Sequence, residues 1–343
     1  MPIPFILAGL AALAGGGAAI HGGVKMKEAN DTMNAANRRH KKNIARFETQ
    51  NKTTTGDMDR LGKLELETIT SFQRFADIFE RIQNRPEFKA YDKGSVKIPA
   101  YDGEKLKRVY VGAGALLGGL GGAAAGTAGG FAAAGAATAA VMAFGTASTG
   151  TAIASLSGAA LTNATLAAIG GGAVAAGGGG IAAGTAILGA ATLGVGLLVG
   201  GLIFNLTGGK LSDKADEAWS QMKKAEKEIN TICDYMTKLS QAEKKFEDAL
   251  KRTSKVYYRH LDMLGDLVIL RGQTNWDDFS PAEKSLTENT VLLVGLLYDM
   301  CKVKLVKQST GKDEVNQVND EEIDRAVEKA DAFLNQKGMS ALA

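Results

Sequence analysis

The chain has 343 residues, with 40 Lys and Arg against 37 Asp and Glu, 43 glycines, five prolines, two cysteines and three histidines. Cys233 and Cys301 cannot build a disulfide framework or a CxxC metal site, and His21, His40 and His260 form no HExxH helix. A net charge of +3 without a basic face interleaved with aromatics leaves no nucleic-acid footprint.

The distribution of charge is more informative than its sum. Val109 to Gly209 are 101 consecutive residues without Asp, Glu, Lys or Arg, and the first 24 residues are uncharged as well. The neutral run holds 28 of the 43 glycines and no proline. Composition therefore divides the chain at 1–23, 24–108, 109–209, 210–270 and 271–343.

Residues 3–20 are apolar and about the length of a bilayer core, so a membrane helix or a buried core helix would both fit. No basic residue precedes them, which argues against a cleaved signal and for cytoplasmic synthesis. From Lys25 to Arg85 the pattern is helical: Met58, Leu61, Leu64, Phe72, Phe75, Phe79 and Ile82 recur at three- and four-residue steps. The polar stretch Asn51 to Gly56 predicts a break or bend. Pro86, Gly94 and Pro99 bracket a loop over about 86–102.

Beyond the run, Ser212 is placed to cap a new helix. Met222, Ala225, Ile229, Ile232, Met236, Leu239, Glu243, Phe246 and Leu250 then follow a heptad step, broken in polarity by Glu243. Two helices of roughly 60 residues would each reach about 90 Å, as a coiled-coil stalk or within a bundle. Ser280-Pro-Ala-Glu283 has the signature of a helix start and opens the apolar stretch Val291 to Tyr298, too short to span a membrane. A charged amphipathic helix is expected over about 320–336, after a solvated linker at 307–319. Trp219 and Trp276 read as core residues or as interface anchors.

Within the neutral run, Gly114, Gly118, Gly122, Gly126 and Gly130 fall at four-residue steps, and Gly180–Gly184 and Gly196–Gly200 repeat the step. Residues four apart share one helix face, so such a row is a groove that admits another backbone. In water each Gly weakens a helix by about 1 kcal/mol relative to Ala. In lipid the backbone must satisfy its own hydrogen bonds, which enforces the helix. The hydroxyl-rich stretch 146–165, with Asn163, reads as the tip between arms at about 109–144 and 166–207. Lys105, Lys107 and Arg108 flank one entrance and Lys210 and Lys214 the other. The positive-inside tendency would then place both flanks on the cytoplasmic side, with two or four crossings. A soluble helical hairpin buried within a helical shell is the rival reading.

Phosphate-loop chemistry is excluded by spacing: no GxxxxGK[ST] occurs, and Gly194-Val-Gly196-Leu-Leu-Val-Gly200 is one residue too long for GxGxxG. No catalytic residue, cofactor or metal site is expected, and no enzyme.

The stretch Thr146-Ala-Ser-Thr-Gly-Thr-Ala-Ile-Ala-Ser-Leu-Ser-Gly-Ala-Ala, with Asn163-Ala-Thr-Leu, Gly170-Gly-Gly and Ala175-Ala-Gly-Gly-Gly-Gly180, resembles a widespread set of bacterial glycine-zipper membrane proteins. In layout alone the chain is similar to α-helical pore-forming toxins and to apolipoprotein-L and colicin pore domains. The expectation is an all-α protein whose Gly/Ala-rich hairpin enters the inner membrane and oligomerises, its partners being lipid and further copies of itself. The resemblance implies an architecture and a bacterial origin; the neutral run and its glycine steps carry the expectation of permeabilisation, as a toxin or defence effector, with a harmless membrane scaffold or a soluble helical assembly as the alternative, and with the protein soluble before insertion.

Overall fold

The computed structural model describes residues 21–107, 109–110, 113, 211–307 and 317–343. They are mostly helical, in keeping with an all-α class. Helix α1 spans His21–Phe79 and α2 spans Leu211–Gly265. A short π-helical segment, Asp266–Leu270, and a 3-10 turn, Trp276–Asp278, lead into α3, Pro281–Met300. Helix α4, Asp320–Gln336, follows where the charge pattern places it. The chain forms two units, one of residues 1–47 and 197–231, the other of 48–196 and 232–343, and both long helices contribute to each.

In the first unit the described core is built from small and medium side chains: Ala29 and Ala36 from α1, and Ala215, Ala218, Met222, Ala225 and Ile229 from α2. Arg39 Nε pairs with Glu226 at 2.8 Å, Asn43 donates to the same carboxylate at 3.4 Å, and Arg46 donates to Asn230. Later residues of α1 meet later residues of α2, so the two segments run parallel.

The second unit repeats that direction. Thr54 lies 3.0 Å from Ser240, Thr68 3.4 Å from Ser254 and Ser71 3.4 Å from the Tyr257 hydroxyl, each pair 186 positions apart. Buried residues at Thr54, Leu61, Glu65, Thr68, Phe72, Phe75 and Phe79 step by three, four or seven, the period of a coiled-coil seam. The facing seam of α2 includes Met236, Leu239, Glu243, Phe246 and Leu250, all buried. Glu243 is therefore a true seam position rather than an interruption. On α1 the expected seam residue Leu64 is only half-buried, and its neighbour Glu65 takes the interior place.

The expected break at Asn51 to Gly56 does not occur, because α1 is continuous through it. Two hydroxyls there are satisfied without leaving the helix: Thr53 donates to the Thr49 carbonyl at 3.1 Å, and Thr54 reaches Ser240. Ser212 is not a cap, since Leu211 is already helical.

Helix α3 starts from the predicted capping box at Ser280 and Glu283 and buries Val291, Leu293, Val294, Leu296 and Leu297. Helix α4 runs alongside α2 in the same direction, held by Lys245–Asp324 at 2.7 Å and Arg252–Asp331 at 2.9 Å. These pairs are half-exposed and fix register more than they stabilise. The loop expected over 86–102 contains a hairpin, Tyr91–Lys93 (β1) against Val96–Ile98 (β2), with Gly94 at φ +63° in the two-residue turn. Tyr91 bonds Gln336 at 2.9 Å, and Ile98 is buried against Gly295 of α3. The expected linker at 307–319 is paired at its ends, Val306–Lys307 (β3) with Gln317–Val318 (β4), and Asn319 is buried.

A Cβ at Gly295 would meet Ile98 Cγ2 at 2.5 Å. Gly295→Val is expected to lower stability by about 1–3 kcal/mol, measured as a shift in denaturation midpoint. Gly265→Ala, whose Cβ meets Ile78 at an ordinary 3.5 Å, should be neutral or better.

Candidate functional site

The first described residues of the neutral run are rooted in the second unit. Phe75 stacks on Phe79 at 5.1 Å, Phe79 meets Tyr101 at 4.9 Å and Phe88 at 5.4 Å, and Phe88 packs edge-on to Trp276 at 5.7 Å. This cluster closes the end of α1 and carries the chain to Asp102, whose carboxylate accepts from the Lys105 backbone N–H at 3.0 Å and caps the helical residues 103–107. Leu106, Val109, Tyr110 and Ala113 are all buried. Tyr110 lies within electrostatic reach of Asp77 and Glu80, so the run departs beside the last turns of α1.

Lys105 and Lys107 are exposed at this root, with the Lys105 ammonium 5.3 Å from the Tyr298 ring. Lys214 is half-buried in α2 and belongs to the first unit. Arg108, Lys210 and the expected packing glycines Gly114, Gly118, Gly122, Gly126, Gly130, Gly180, Gly184, Gly196 and Gly200 lie outside the described residues. Trp276 belongs to the core, while Trp219 is half-buried, with Arg39 and Lys223 each 5.9 Å from its ring.

The second feature is a set of carboxyl groups inside the helix pair. Glu65 is wholly buried and neither of its oxygens has a hydrogen-bond partner. Burial pushes its carboxyl well above the usual range. The Cys301 thiol is also raised well above its ordinary value, by burial first and by Glu65 second, which disfavours the nucleophilic thiolate. Glu243 is pushed up to about 7, mainly by burial, with Glu247 and Asp57 adding and Arg60 and Lys251 opposing. Sequence reasoning overlooked Glu65. The signal was present, since stepping back from Phe79 through Phe75, Phe72 and Thr68 lands on it.

Among the described residues no group of three or more His, Cys, Asp or Glu is placed to hold a metal ion, and both cysteines are buried and in no disulfide. No helix among them is long and apolar enough to cross a membrane. No protein-family model, no curated protein and no solved structure matches the chain.

The raised carboxyls fix a pH dependence. Between 4.5 and about 7 the folded state holds a proton at Glu243 that the unfolded chain releases, so stability falls as pH rises through that window. Glu243→Gln is expected to stabilise the protein by about 1–3 kcal/mol at pH 8 and to change little at pH 5. Urea denaturation at the two pH values checks this, and equal effects at both would contradict it.

Proposed function

We propose that the chain is a membrane-inserting glycine-zipper protein that oligomerises through its glycine faces and permeabilises a bilayer, as a toxin or defence effector and without catalysis. The observation that carries this reading is the 101-residue run without a formal charge and its four-residue glycine steps. Small faces let helices pack closely where lipid removes any hydrophobic drive between them.

The helix pair adds a geometric condition. In the second unit, Glu48–Phe79 of α1 and the parallel segment of α2 point to the same end, so the intervening chain must come back over about 48 Å at 1.5 Å per residue. Most of that intervening chain is the neutral run.

A second reading is favoured by the buried root. Val109, Tyr110 and Ala113 pack on protein, as they would if the run were the core of a soluble helical assembly or of a harmless membrane scaffold.

Expression in a bacterial host separates the two. The pore reading predicts growth arrest with loss of membrane potential, abolished by Gly122→Leu with Gly126→Leu, because branched side chains would fill the packing face. Harmless accumulation of the unaltered chain would favour the second reading.

A further inference from the structure

The end of the second unit where the neutral run departs also carries unpartnered aliphatic side chains. Leu270 is 77% exposed, Met263 51% and Ile269 50%; these are the large hydrophobic residues left in solvent among those described. Scattered single apolar residues on a surface are ordinary, but three within eight positions at one tip are a patch.

Its cause is local. After Gly265 the helix widens to a π turn, with Arg271 N–H bonded to the Asp266 carbonyl at 3.0 Å. Leu267 and Val268 stay buried, while Ile269 and Leu270 are carried outward. Gly272, at φ +67°, then reverses the chain, and Gln273 bonds back to Leu267 at 3.2 Å. A groove beside Met263 is lined by Leu267, Ala282 and Leu286 together with the charged Asp266, Arg271 and Glu283.

We infer that this tip, Met263 with Ile269 and Leu270, is a docking surface for the acyl-chain boundary of a lipid bilayer. What points to lipid is the chain that leaves from the same end. Gln83, just past α1, bonds Thr274 at 2.7 Å and accepts from Trp276 at 3.0 Å, which ties the patch to the end of α1. Tyr110, at the start of the 101 uncharged residues, lies within electrostatic reach of Asp77 and Glu80 on that same end. A tip that dips into the interface would hold this root against the membrane. The charged groups around it are of both signs, Arg81, Arg85 and Arg271 with Glu80, Asp266, Asp277 and Asp278, so contact is driven by apolar burial and needs no anionic headgroup.

The inference rests on the membrane reading, and one experiment separates their failures. The full chain carrying Leu270→Cys is labelled with an environment-sensitive nitrobenzoxadiazole dye; Cys233 and Cys301 are buried and do not compete. A second sample carries the dye at exposed Glu328→Cys on α4. Both are mixed with phosphatidylcholine vesicles and floated. The expected result is co-flotation with a blue shift and an emission rise of about threefold or more at position 270, unaffected by salt, and little change at 328. Co-flotation with no change at 270 would overturn the docking surface and leave membrane binding standing. A rise at 270 that follows protein concentration without lipid would assign the patch to a second copy and overturn the inference. Failure of the chain to float would overturn both.

Discussion

The parallel pairing of α1 and α2 is the constraint on which the rest of the molecule depends. Two consecutive antiparallel helices need only a short turn between them, whereas parallel partners need a connection that covers their length again. Here the return lies between Phe79 and Ile232, a span that includes 101 consecutive residues without a charge. The hydroxyl ladder Thr54–Ser240, Thr68–Ser254 and Ser71–Tyr257 locks that direction at one offset. A slip by one residue would strand each of these buried groups, and an unpaired buried polar group costs more than its bond contributes.

Acid side chains in the same seam work the other way. Glu65 and Glu243 replace aliphatic residues at interior positions, and Glu65 has no hydrogen-bond partner for either oxygen. Burial raises both carboxyls above the usual range, so the second unit loses stability as the medium becomes more alkaline.

Much of the helical framework was legible from residue pattern. The capping box at Ser280, the amphipathic α4 and the buried face of α2 lie where apolar spacing puts them. What escaped has physical reasons. Periodicity carries no direction, so it could not distinguish parallel from antiparallel long helices. The Thr-rich stretch at 51–56 reads as a breaker by propensity, yet packing on α2 and backbone-directed hydroxyls keep it helical. Three-residue strands such as Tyr91–Lys93 are too short to show alternation, and Glu65 escapes a reading by apolar period because charge normally marks the solvent face. Of the site, Lys105 and Lys107 are exposed next to the start of the run, and the aromatic cluster that carries the chain to it is something composition did not reveal. The glycine ladder itself lies outside the described residues.

The central claim is that the neutral stretch exists to sit away from water with its backbone bonded to itself. Amide exchange of peptides from 109–209, followed by mass spectrometry on the full chain in phosphatidylcholine vesicles, tests it most directly. The account predicts exchange slowed by about a hundredfold or more relative to an unstructured chain across most of the stretch. Exchange at the unstructured rate throughout, in vesicles as in buffer, would contradict it.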